Sequence, residues 1–256
     1  MASSSDVWTR EQLKLAFHLY CQLPFGRLHK GNPEIIVLAA IIGRSPSALA
    51  MKLSNFASLD PSITATGRRG LKGASNLDRE VWNEFHGDWE GLAVECALLL
   101  KPLALPASPE MSLADSEVDE YEGQTRRAVI EQRVKQAFFR RAILSSYHGR
   151  CCITGVSDAR LLVASHIIPW SHNKQHRLNP SNGLCLSALH DRAFDCGLIT
   201  ISPELQLILS PELKKSPQSL IKSAFLEYDG QHMELPARFA PRPDFLAYHR
   251  DHIYKG

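Results

Sequence analysis

The sequence predicts an α+β protein in two parts, a mainly helical N-terminal domain and a mixed C-terminal domain with strands, hairpins and helices. Three observations carry this. Apolar residues recur at helical spacing, between cap and stop signals, through most of the first hundred positions. The stretch PASPEMSLADSEVDEYE (Pro106–Glu122) holds Glu110, Asp115, Glu117, Asp119, Glu120 and Glu122, two prolines and no basic residue, which marks an exposed linker. Beyond it lie strand-like runs punctuated by turn signals. The expected organisation is a helical domain over 1–105, an acidic linker over 106–123 and a second domain over 124–256.

In order along the chain, Thr9 and Gln12 form a capping box that opens the run LKLAFHLYCQL. Pro33 starts EIIVLAAIIG, which Gly43 stops. Ser45 and Pro46, a cap followed by a first-turn proline, restart a helix at SPSALAMKLSNF. Two short helices across a tight Gly-Arg turn suggest a helix-turn-helix-like unit whose second helix offers Ser47, Met51, Lys52 and Asn55 to a groove. A plain helical hairpin fits the same pattern. The glycine-rich loop ATGRRGLKG carries Arg68, Arg69 and Lys72, either a phosphate grip or solvated surface. After the linker, Arg126, Arg127, Arg133, Lys135, Arg140 and Arg141 stud an amphipathic helix expected over Gln124–Tyr147. Gly197–Ser210 alternates around a break at Pro203-Glu204 and predicts a β-hairpin. Phe225–Leu235 predicts a further strand or hairpin turning at Asp229-Gly230, and a closing helix follows from Pro243.

Composition excludes little. Of 256 residues, 44% are hydrophobic and 22% charged, ordinary for a globular protein, and a net charge of +2 does not by itself require a nucleic-acid partner. The start MASSSDVWTREQ has no basic segment followed by an apolar run, so no secretory signal is expected. The apolar runs near Glu34–Gly43 and Gly91–Leu105 are too short or too interrupted to span a bilayer, so no membrane partner is expected. Six cysteines in no framework spacing fit free thiols in a reducing cytoplasm.

The chemistry concentrates between Cys151 and Asp195: CCITGVSDARLLVASHIIPWSHNKQHRLNPSNGLCLSALHDRAFD. A strand-like run precedes His166, a turn holds Asn182, and a helix-like run surrounds His190. This order, with the flanks SHIIPW, NPSNGLCL and LHDRAFDCGLI, resembles the HNH nuclease motif, the ββα-metal finger. The resemblance covers roughly Ala142–Ile201. It implies a metal-dependent endonuclease acting on DNA, with one divalent ion (Mg2+, Mn2+, Ni2+ or Zn2+) per site.

Within that resemblance His166 stands at the general base, where an imidazole titrating near neutrality takes a proton from water. Asn182 either orients its loop through hydrogen bonds to backbone or offers its carbonyl oxygen to the metal. His190 stands as a catalytic residue and the foremost metal ligand. Asp195 is either a further ligand or a brace for the following hairpin. Asp191, next to His190, is expected to point elsewhere. Ser165 occupies a place where many members carry an acidic or histidine ligand, and a hydroxyl is a poor substitute. Lys174 and Arg177 are expected phosphate clamps, and Arg68, Arg69, Lys72, Lys52, Arg140 and Arg141 complete the expected nucleic-acid contacts. Members with a structural zinc carry two Cys-x-x-Cys pairs. Here Thr154, Leu186 and Leu189 replace three of those positions, so apolar packing and no structural zinc are expected.

A reader joined to an HNH cutter resembles modification-dependent restriction endonucleases, which implies double-stranded DNA with modified cytosine as the target. A non-specific or RNA-directed nuclease, and a DNA-binding protein with a decayed site, are the alternatives. One site cuts one strand, so a double-strand break requires a homodimer or two successive nicks.

Overall fold

The computed structural model describes residues 7–65, 67, 70–71, 73–100 and 120–256, with the backbone alone for 120–131. The loop cations Arg68, Arg69 and Lys72, and most of the expected linker, lie outside the described residues. The helices are α1 (Arg10–Gln22), α2 (Pro33–Ile41), α3 (Pro46–Leu59), α4 (Pro61–Thr64), α5 (Asn76–Phe85), α6 (Trp89–Leu100) and α7 (Glu120–Ser146). There follow β1 (Leu162–His166), β2 (Gly183–Ser187), α8 (Ala188–Asp195), β3 (Ile199–Ile201), β4 (Leu207–Leu209), α9 (Pro211–Lys214), α10 (Ser219–Ala224) and α11 (Pro243–His252). This is the predicted α+β class. No single helix among the described residues is long and apolar enough to cross a membrane.

The chain divides into two compact units. One holds α1–α3, α5, α6 and α7 as far as Phe138; the other holds everything from Phe139 onward, with Gln22–Pro24 and α4.

In the first unit local signals act as the sequence suggests. Thr9 and Gln12 exchange backbone-to-side-chain bonds of 3.2 and 3.3 Å at the head of α1. Ser45 Oγ accepts from Ala48 N at 3.1 Å above Pro46. Gly43, at φ +67, ends α2 in the left-handed conformation that glycine adopts without strain. From α2 to α3 the chain bends by 107°. The core gathers around Phe17, whose ring lies 5.1 Å from Phe56 and 5.3 Å from Trp82.

Two of the four residues expected to face a groove face inward instead. Lys52 Nζ donates to both carboxylate oxygens of the fully buried Asp78 at 2.9 Å. Asn55 is buried and donates to Gly73 O at 3.1 Å. Lys52 is therefore a structural ion-pair partner, which corrects its expected contact with nucleic acid. A buried carboxylate without a cation would cost several kcal/mol, at about 3–5 kcal/mol for one broken pair. Ser47 and Met51 remain exposed.

In the second unit β1 and β2 pair antiparallel, with Ser165 opposite Leu184 and His166 opposite Gly183. β3 and β4 form the predicted hairpin. Of the strand or hairpin expected over Phe225–Leu235, a single strand-like pairing forms and no separate hairpin. The segment runs beside β4, through Leu207 N to Gln231 O, Gly230 N to Leu207 O and Met233 N to Leu205 O, all at 2.9 Å. Its unpaired backbone finds partners on an existing edge, so no second turn is needed. The closing helix appears as α11, pinned by the buried His249, whose Nδ1 accepts from Thr200 Oγ1 at 2.9 Å while Nε2 donates to Phe194 O at 3.1 Å.

Candidate active site

β1 delivers His166 at its last residue, β2 begins opposite it, and α8 follows β2 without a loop because Ser187 caps it by accepting from His190 N. The register sets the start of α8 beside the N-terminal end of β1, where Ala188 N donates to Leu161 O at 2.8 Å.

His166 is held on three sides. Its Nε2 lies 2.9 Å from Arg177 O. A carbonyl only accepts, so Nε2 carries the proton and Nδ1 keeps the lone pair that a general base needs. The ring of Phe139 stacks on the imidazole at 4.0 Å and 9°, and the ring of Trp170 meets it edge-on at 5.5 Å and 85°. Burial pushes its pKa below the ordinary histidine value, partly opposed by the bond to Arg177. The imidazole is thus neutral at neutral pH.

Asn182 follows the first of its two expected readings. Its Oδ1 accepts from Ile168 N at 2.8 Å, and its Nδ2 donates to Ile168 O at 3.2 Å and His176 O at 3.1 Å. The side chain is buried, and its amide clamps the loop after His166 onto the start of β2. Both ends of the amide are engaged with backbone, and the carbonyl oxygen expected as a metal ligand is bonded to Ile168 N.

His190 also turns inward. Nδ1 lies 2.9 Å from Ser187 Oγ and Nε2 lies 2.9 Å from Ala224 O, with the ring packed against Phe225 at 4.7 Å. Both nitrogens are engaged and the residue is 2% exposed, so it staples α8 to the end of α10, and the Nδ1 lone pair expected to reach a metal is taken up by the Ser187 hydroxyl.

The reason lies in helix phase. At roughly 100° per residue, Asp195 sits roughly 140° around α8 from His190, but only roughly 40° from Asp191. Asp191 and Asp195 therefore share one face while His190 and Phe194 share the buried one. Asp191, expected to point away, is the carboxylate that has the Ser165 hydroxyl beside it. Burial raises its pKa, and the Ser165 hydroxyl nearby favours the ionised form. Partial desolvation also raises the pKa of Asp195, and the charge of Asp191 adds to the rise. Ser165 Oγ is itself buried and lacks a hydrogen-bond partner; Asp191 is near enough to sense it without a formed bond. Burial raises both carboxyl groups above the ordinary Asp value, a cost that a bound cation would offset.

Residues 151–202 match the family model described as HNH endonuclease. The match assigns this segment, and not the whole chain, to the HNH endonuclease family. No curated protein matches the chain. The HNH segment takes in β1, β2, α8 and β3, and so His166, Asn182, His190, Asp191 and Asp195, but not Phe139, Ala224 or Phe225.

Among the described residues no group of three or more His, Cys, Asp and Glu side chains is arranged to hold a metal. Asp191, with the Ser165 hydroxyl beside it, and Asp195 on the same side of α8 are the oxygen groups that could hold an ion. At the positions of the missing zinc pairs, Cys151, Cys152 and Leu186 are buried, whereas Leu189 is 45% exposed and packs no core. Burial pushes Cys185 up to about 12 and Cys152 well above the ordinary thiol value, with neighbouring thiols adding to both, so these thiols stay protonated.

The expected cations are dispersed. Arg140 donates to Leu162 O at 2.8 Å and Ala159 O at 3.0 Å, tying α7 to the approach of β1. That bonding gives Arg140 a structural duty in place of a free phosphate contact. Arg177 donates from Nε to Trp170 O at 2.7 Å and lies 5.0 Å over the Trp170 ring, which fixes it beside the base. Lys174 and Arg141 are exposed. Sequence reasoning ranks Asp191 below Asp195, although their spacing of four puts both on one side of α8. It missed Phe139, whose meeting with His166 has no local signature.

Proposed function

We propose that this protein is a metal-dependent endonuclease that hydrolyses phosphodiester bonds in DNA, with His166 as general base and Asp191 and Asp195 holding the metal beside Ser165. The observation that carries this is the bond from His166 Nε2 to Arg177 O, which leaves Nδ1 as a lone-pair base at the end of β1. The residue before it, Ser165, has Asp191 beside its hydroxyl. Nε2 cannot serve as the base, because it donates to Arg177 O. The imidazole takes a proton from water at Nδ1 and passes it to solvent, while Arg177 and Lys174 supply positive charge for the phosphate. A bound divalent cation supplies Lewis-acid relief for the negative charge that develops on the phosphate oxygens.

A restriction role, with modified cytosine read by the N-terminal unit, belongs to the same proposal but gains no support from α3, where Lys52 and Asn55 face inward. A serine in a ligand place keeps the decayed-site reading as the rival.

Calorimetric titration of the purified chain with Mn2+ separates them. The proposal expects one binding event that Asp191→Asn weakens by about ten-fold or more, the scale of a lost charged ligand. His190→Gln should leave the affinity unchanged in the folded fraction. Binding that follows His190 and ignores Asp191 would return the ligand role to His190.

A further inference from the structure

We propose that Phe139 is a positioning residue for the His166 imidazole, and that the bare backbone of Gly183 is what allows it to lie there. This rests on His166 being the base of the proposed reaction. Phe139 lies outside the segment that matches the family, on a helix that the motif does not include.

A histidine at a strand end has two soft torsions, and its one bond to Arg177 O fixes a single point on the ring. The imidazole can still swing about that point, which would carry Nδ1 off line. Two ring contacts close this freedom. Trp170 blocks the edge at 5.5 Å, and Phe139 covers a face at 4.0 Å with the planes only 9° apart. Parallel contact at that distance permits sliding within the plane but not tilting, so Nδ1 stays in the plane set by Arg177 O.

Phe139 reaches this place because of what is absent opposite His166. Gly183 pairs with His166 across the β-ribbon. A Cβ built there would stand 2.4 Å from Ile143 Cδ1 and 2.8 Å from Phe139 Cζ, closer than carbon atoms approach. Phe139 and Ile143, four residues apart on α7, both lie on the buried side of that helix, and both press onto the gap. The glycine is not demanded by backbone angle, since its φ of -135 is extended and open to any residue. It is demanded by the side chains above it.

The alternative duty for Phe139 is core packing alone, so the test needs readouts that packing does not move. Four forms serve: wild type, Phe139→Leu, Gly183→Ala and the double substitution. Leucine keeps apolar volume but has no flat face, and its shorter reach leaves room for the alanine methyl. In wild type, NMR of the His166 ring protons should show the upfield displacement produced by the face of a stacked phenyl ring. Phe139→Leu should abolish it.

With Mg2+ and a DNA duplex, kcat should fall by about ten- to a hundred-fold, the scale of an ångström-sized misplacement, with KM changed less than about two-fold. Gly183→Ala should act in the same direction through the displaced phenyl ring. The double form should be no worse than Phe139→Leu, because the two act through one contact.

The proposal is overturned if Phe139→Leu keeps the wild-type kcat, or if activity falls only in proportion to the folded fraction. Should that variant not fold, the ring protons of wild type and Gly183→Ala decide, and no upfield displacement in wild type overturns it. A wild type that cleaves nothing overturns the nuclease reading and this role with it, even with the ring displacement present. A wild type that cleaves while Phe139→Leu keeps its full rate overturns the positioning role alone.

Discussion

Asn182→Asp separates a strut from a ligand, because the two roles predict opposite signs for a change of one atom. In the structure the amide accepts one bond from Ile168 N and donates two, to Ile168 O and His176 O. Aspartate keeps the acceptor but turns both donors into an oxygen facing two carbonyl oxygens. Each broken bond with a buried polar group left behind costs about 1–3 kcal/mol. The buried carboxylate adds its own desolvation, so a loss of about 3–5 kcal/mol is expected, the scale of an uncompensated buried charge. Protonating the new carboxyl restores one donor, so the penalty should ease as pH falls. Urea denaturation at neutral and mildly acidic pH reads both effects, and Mn2+ titration on the same samples reads affinity. A ligand would respond the other way, since a second charge on the metal tightens binding. Stability within about 0.5 kcal/mol of wild type, typical of a harmless surface change, together with tighter Mn2+ binding, would refute the strut.

Other consequences follow from partners just as specific. Lys52→Met strands the carboxylate of Asp78, which is wholly buried, and should cost about 3 kcal/mol or more by thermal or urea unfolding. DNA affinity of the folded protein should stay unchanged, and a loss of binding without loss of stability would restore Lys52 to the DNA contacts. His249 is 1% exposed, and burial pushes its pKa down to about 4 from 6.5. The unfolded chain therefore takes up the proton first. The stability this group contributes is complete above pH 6.5 and is lost as pH falls toward 4. The loss should reach roughly 3 kcal/mol, since each tenfold change in proton affinity is worth about 1.4 kcal/mol. His249→Gln should flatten the acid limb of the urea-stability curve by that amount; an acid limb identical to wild type would exclude His249 as its source.

What could be read from the residues was what bonds to near neighbours. The Thr9–Gln12 box, the Ser45 cap and the Gly43 stop each close within four or five residues, so their signals lie within the segment that forms them. His166 was placed correctly at a strand end for the same reason. What could not be read depends on distant groups. His190 turns inward because Ala224 O and Phe225, more than thirty residues later, complete its pocket, and that choice sets which carboxylate of α8 has the Ser165 hydroxyl beside it. Lys52 looked like a phosphate contact until Asp78, 26 residues away, claimed it. Asn182 sits in a sequence that any turn would use, and only the backbone it clamps reveals its work. The segment near Asp229-Gly230 carried a true turn signal, but the edge it joined belonged to β4. Phase, burial and pairing across the chain decided each of these.

Plasmid relaxation under Mg2+ or Mn2+ tests the central claim most directly, with wild type compared against His166→Ala and Asp191→Asn, each with and without chelator. Nicked or linear DNA is expected from wild type alone and only when the ion is present. Both variants should remain folded and fall by at least about a hundred-fold, the scale of a removed general base or metal ligand. Undiminished cleavage by His166→Ala, or cleavage by wild type that persists in excess chelator, would contradict it.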